Sequence, residues 1–160
     1  MRHALASILV GVVGWPSFVA ADGHHDNSSG GREETTVAGR LTTEVVPCSS
    51  LCTESDWDGK LDGTSHFTLI SMEDTNTPDA NISKFHGKLV LSTARGDLIG
   101  EDHGIWNLDT GKYVDVYTVT SGTGAYTGAT AVILLCGTLD PVTGQGLSQY
   151  HGTVTTSHHH

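Results

Sequence analysis

The densest cluster of proton-transferring residues within an expected strand is Glu101-Asp102-His103, in the segment LIGEDHGIW. On a strand, alternation puts Glu101 and His103 on one face with Ile99 and Ile105, and Asp102 on the other with Leu98 and Trp106. An acid and an imidazole two residues apart, with apolar neighbours on the same face, can supply a general acid/base pair inside a barrel. The arrangement preferred on this spacing turns Glu101 and His103 inward. The alternative turns Asp102 inward beside Trp106 and leaves the other two in solvent. A charged surface patch without chemistry is the plain reading beside both. All three residues are carried forward as catalytic candidates.

An enclosed site for an apolar substrate needs shape and only two or three polar anchors. His66, Trp106, Tyr117, Gln149 and His151 are the substrate-binding candidates on expected strands, and each could equally be a structural hydrogen-bonder or a surface residue. In Lys112 to Thr120 one alternating set is Tyr113, Asp115, Tyr117 and Val119. It mixes aromatics with an acid, as a ligand-contacting wall does; an exposed face with cross-strand aromatic pairs would read the same way. The nucleophile elbow Gly-x-Ser-x-Gly, the P-loop, His-Glu-x-x-His and Cys-x-x-Cys are all missing, so hydrolase and nucleotide chemistry have no positive support. Lumen catalysis of this kind needs no cofactor and no metal. A separate metal signal is conditional: cleavage after Ala21 would expose Asp22-Gly23-His24, whose amine, amide nitrogens and imidazole could surround Cu(II) or Ni(II) in a square plane.

That condition depends on the N-terminus. Arg2 and His3 precede the apolar stretch Ala4 to Val13, and the small residues Val19, Ala20 and Ala21 follow, the order of a secretory signal peptide over residues 1–21. The expected compartment is extracellular and oxidising. Three cysteines then give one bridge and one leftover thiol. Cys48 and Cys52 are the natural pair, closing a short loop, and Cys136 would be a small buried hydrophobe at the end of an apolar run. Asn27 and Asn81 head acceptor sequons for glycosylation. His158, His159 and His160 end the chain and carry no weight in the reading.

The elements that must position these side chains are strands. Glycine is 20 of 160 residues and charged residues are only 16%, a turn-rich chain with a quiet surface. Threonine is abundant and alanine scarce outside the first 21 residues, which disfavours an all-helical fold. Eight Lys and Arg against 18 Asp and Glu argue against nucleic acid as partner. Past the leader no apolar run reaches the roughly 20 residues of a membrane helix, so the mature form is expected off the membrane. Residues 22–34 have almost no apolar content and read as a disordered arm. From Thr35 to 157, short apolar and Thr-rich runs alternate with turn formers such as Asp58-Gly59, Asp109-Thr110-Gly111 and Asp140 to Gly146. Seven or eight strands in one domain predict a sandwich or a closed antiparallel barrel. In Ala131 to Cys136 both alternating sets are apolar, which predicts a strand covered on both faces, by barrel contents and by a terminal segment or another subunit of a homo-oligomer.

Residues 96–154 carry a family resemblance. The pieces are Ser121-Gly122-Thr123-Gly124-Ala125-Tyr126-Thr127-Gly128-Ala129-Thr130, the apolar strand running into Leu135-Cys136-Gly137-Thr138, and the closing Tyr150-His151-Gly152-Thr153-Val154. Together they resemble the second half of the allene oxide cyclase-like and dirigent-like barrels, although Ala131 stands where that family often has another glycine. The resemblance implies a single eight-stranded antiparallel, calycin-like barrel. Its glycine-rich segment would make a short turn that packs Tyr126 against an apolar end. It also implies, at the weaker level at which fold speaks for function, a cofactor-independent isomerase or cyclase acting on a small apolar, reactive substrate in the lumen. The rivals on the same barrel are a non-catalytic ligand carrier or a coupling-directing protein, and third an extracellular structural protein.

Overall fold

Pairing of the first strand with the last decides between sandwich and barrel. The computed structural model describes residues 31–78 and 81–157. The signal peptide, the Asp22-Gly23-His24 motif, the Asn27 sequon, residues 22–30 of the arm and His158 to His160 lie outside the described residues. Eight strands follow one another: β1 Arg32–Val46, β2 Cys52–Gly59, β3 Gly63–Asp74, β4 Ile82–Thr93, β5 Gly96–Asn107, β6 Lys112–Gly122, β7 Thr130–Leu139 and β8 Gln145–Ser157. Each pairs antiparallel with the next, and β1 pairs with β8 from Arg32↔Ser157 to Glu44↔Gln145, closing the barrel. Closure leaves no sheet edge unpaired.

Two boundaries differ from the sequence expectation. Strand β1 begins at Arg32, inside the segment read as a disordered arm, because its polar residues find backbone partners on the C-terminal end of β8. Strand β2 carries no apolar run: Glu54, Asp56 and Asp58 face out, while Thr53, Ser55 and Trp57 face in. Its alternation is one of charge against hydroxyl, so a hydrophobic pattern passes over it.

The lumen is filled at one end. Leu91, Leu98, Tyr117, Val119 and Ile133 are the largest fully buried side chains among the described residues. The Tyr117 hydroxyl donates to the Leu98 carbonyl at 2.6 Å. Trp57 and Tyr150 pack with ring centroids 4.7 Å apart, and the Tyr150 oxygen accepts from the Leu61 N–H at 2.8 Å. Below them, a single 3-10 turn over Gly124–Tyr126 places Tyr126 in this core with the Arg95 guanidinium 5.5 Å from its ring centroid. The glycine-rich segment thus does the work expected of it, with one refinement. Gly124 and Gly128 adopt positive φ, whereas Gly122 is required by crowding, since a Cβ there would sit 2.7 Å from the Asp97 carbonyl oxygen.

At the opposite end the Cys48–Cys52 disulfide closes the β1–β2 turn, with Cα atoms 6.0 Å apart. Strand β7 corrects one expectation, the burial of Cys136. Ala131, Ile133 and Leu135 are buried, but Val132 and Leu134 are exposed on the outer wall, so one face alone is covered within the chain. Cys136 shares that outer parity and is exposed, not buried.

Candidate functional site

The unfilled part of the lumen is built around β5 and β6. Their register pairs Asp102 with Tyr117, Gly104 with Asp115 and Trp106 with Tyr113. Asp102 and Asp115 are therefore diagonal neighbours on the inner face, within reach of one another. Glycine at 104 makes their approach feasible: a Cβ there would lie 2.5 Å from both the Asp115 Cβ and the Phe85 ring. The two carboxyls are 4% and 5% exposed. Each carboxyl lies in the field of the other, which disfavours ionising both together.

Burial sets the electrostatics of the pair. It pushes the Asp102 carboxyl up to about 6, against the partly offsetting hydrogen bond from Asp115 and the field of His103. It pushes Asp115 well above the usual carboxylate range, reinforced by the charge of Asp102. Tyr113 is raised as well, first by burial and then by Asp115. Both carboxyls are thereby held toward the protonated form, the behaviour of two buried carboxyls set close together. The Oδ1 atoms of both aspartates are buried without a hydrogen-bond partner.

A cavity of about 70 Å³ opens beside the pair, lined by Phe67, Phe85, Leu89, Trp106, Tyr113 and Leu135 on the apolar side and by Thr43, Thr53, Ser55 and Ser65 on the polar side. Met72 and Leu51 stand at its mouth. A bulge between Leu69 and Ser71 brings Met72 to the inner face, opposite Phe85. The hydroxyl side is internally paired: Thr43 with Ser55 at 2.9 Å, and the Trp57 indole donating to Ser65 at 2.8 Å. Tyr113 and Ser148 pair their hydroxyls likewise. Against that background of matched polar groups, the two acids stand out as incompletely satisfied. Roomier concavities exist on the outer wall, including one of about 400 Å³ beside His66, but they do not touch either buried acid.

The sequence candidates divide by parity. Asp102 and Trp106 line the cavity, as in the alternative arrangement. Glu101 and His103, the preferred inward pair, are exposed on the outer wall. The reason is volume: Leu98, Gly100, Asp102, Gly104 and Trp106 share the inner parity, and the glycines clear backbone and ring that side chains would strike. Ile105, 44% exposed, goes out with His103. His66 also faces out, 3.8 Å from Glu54, because Ser65 and Phe67 take the inner parity of β3. Gln149 and His151 face out because Ser148 and Tyr150 take it on β8. Tyr117 points inward but lies below the cavity, its hydroxyl committed to the backbone of β5. Asp115, which its own strand does not single out as catalytic, belongs to the alternating set Tyr113, Asp115, Tyr117 that reads as a ligand-contacting wall, and that set is the inner face.

Comparison with known proteins adds no assignment: no family model, no curated protein and no solved structure matches the chain.

Proposed function

We propose that the open end of the lumen is a cofactor-independent acid/base site in which Asp102 and Asp115 shuttle one proton on a small, largely apolar substrate. The observation that carries this reading is the buried carboxyl pair with an oxygen on each member that no hydrogen bond satisfies, set against an apolar cavity. A barrel needs no such pair for stability, since two buried acids destabilise unless their remaining lone pairs are matched. In the reaction, the ionised carboxyl takes a proton from the substrate while its partner's proton is delivered to another substrate atom. The pair ends one proton short nowhere, so the outcome is an isomerisation or ring closure without oxidant or reductant. This is the class implied by the resemblance of residues 96–154 to allene oxide cyclase-like barrels. The aromatic side, Phe85, Trp106 and Tyr113, would hold the substrate's carbon skeleton in its reactive shape.

Cavity size limits the substrate. About 70 Å³ is room for a few heavy atoms, so any longer skeleton must extend past Met72 and Leu51 into solvent.

The test is turnover of short epoxides and unconjugated enones, followed as mass-neutral rearrangement, by the parent chain and by Asp102→Asn and Asp115→Asn. The expected result is loss of turnover by a factor of about 10² or more in both variants with fold and ligand affinity retained. Ligand binding without turnover in the parent would make the protein a carrier or coupling-directing barrel. Turnover unchanged in both variants would remove the pair from the chemistry.

A further inference from the structure

A second cluster lies on the outer wall of the β4–β5 hairpin, across the sheet from the acid pair. His86 on β4 is directly opposite His103 on β5, and Glu101 is two residues along β5 on the same face. Both imidazoles address one carboxylate oxygen: His86 Nε2 lies 3.4 Å and His103 Nε2 3.5 Å from Glu101 Oε2. These separations are long for N–H···O hydrogen bonds. They match the edge of about 3.3 Å of a tetrahedron whose centre holds an ion at 2.0–2.1 Å from nitrogen and oxygen ligands. One ligand atom from each residue falls within 4.8 Å of the other two. The His86 Nε2 is shielded from solvent yet makes no hydrogen bond, so it has no other occupation.

We propose that His86, Glu101 and His103 form a binding site for one divalent transition-metal ion of the zinc class. Two imidazoles and one carboxylate are a mixed nitrogen and oxygen donor set of the kind such ions accept, with water completing the shell on the solvent side. The two rings stack in parallel with centroids 4.1 Å apart, which sets their ring edges side by side. Loading requires the solvent-side ring, His103, to turn so that its lone pair converges with that of His86. His103 has the freedom to do so, with 55% of its side chain exposed. Lys88 is the direct cross-strand neighbour of Glu101. Holding one ion on two paired strands would staple β4 to β5 behind the wall that carries Asp102.

The experiment is zinc titration of the chelator-stripped full chain by calorimetry, with melting temperature read in parallel, for the parent, His103→Gln and Glu101→Gln. Both substituted side chains are more than half exposed, so the variants fold. The terminal histidines outside the described residues stay in every variant as a constant background. The proposal expects one site per chain that weakens by at least about tenfold in either variant, and a zinc-induced rise in melting temperature that both variants lose. Equal zinc uptake and equal melting shifts in parent and variants would overturn it, as would a parent that takes up no zinc.

Discussion

Asp115 shows how a single position can be readable in kind and missed in role. Its neighbours in the alternating set, Tyr113 and Tyr117, mark a face where aromatics meet an acid, but nothing in β6 alone says whether that face turns in. Glycine at 104 supplies the missing information, because only a bare position lets Asp115 and Phe85 close over β5, and that pairing is visible only in the register. The pair also makes a residue-level prediction about pH. Both carboxyls are raised by burial, so the folded state holds protons that the unfolded state releases. Their contribution to stability is whole below the ordinary carboxylate range and is lost as pH rises through about 6 and beyond. Displacement of Asp102 from 3.8 to about 6 alone corresponds to about 3 kcal/mol. Urea unfolding in chelator between pH 4 and 8 should therefore show the parent losing stability with rising pH. Asp115→Asn, which supplies an N–H to the remaining carboxylate, should lose less, with a gap of about 1–3 kcal/mol by pH 8. Parallel curves for the two proteins would mean that the carboxyls ionise freely.

At the scale of elements, legibility follows what each strand buries. β5 and β6 carry apolar side chains on both parities, Ile99 and Ile105 opposite Leu98 and Trp106, and Val114 and Val116 opposite Tyr113 and Tyr117, so their sequences show a strand without showing its inner face. β2 does not show even that, because its inner face is Thr53, Ser55 and Trp57 beside a polar wall of the lumen. β7 carries apolar residues on both parities, and within one chain the barrel covers Ala131, Ile133 and Leu135 and leaves Val132 and Leu134 exposed. A matched pair of truncations on β7 separates these roles. Ile133→Ala, at a fully buried position, should destabilise by about 2–5 kcal/mol, whereas Leu134→Ala, half exposed, should stay within about 0.5 kcal/mol. Denaturant midpoints for the isolated chain measure both. Comparable losses would show that the outer face of β7 is buried against something after all.

For the whole molecule, strand count and turn spacing leave a sandwich and a closed barrel open, the family resemblance of residues 96–154 implies the eight-stranded barrel, and the structure is that closed barrel. The way the interior divides follows from neither. Tyr126, Leu91, Leu98 and Ile133 fill one end, and the space left at the other depends on how rings from five strands interleave, which no single strand encodes. The same division explains why the outward histidines were attractive candidates and yet stand apart from the lumen: period two fixes which residues share a face, and only the packed volume fixes which face is inside. The central claim is that Asp102 and Asp115 share one proton beside the cavity at neutral pH. It is tested most directly by a carboxyl ¹³C NMR titration of the two aspartates in metal-free buffer, repeated with saturating 2-cyclohexenone as an apolar probe. The account predicts one step near 6, a second raised well above the ordinary aspartate value, and displacement of both resonances by the probe. Two independent titrations at the ordinary aspartate value, unmoved by the probe, would contradict it.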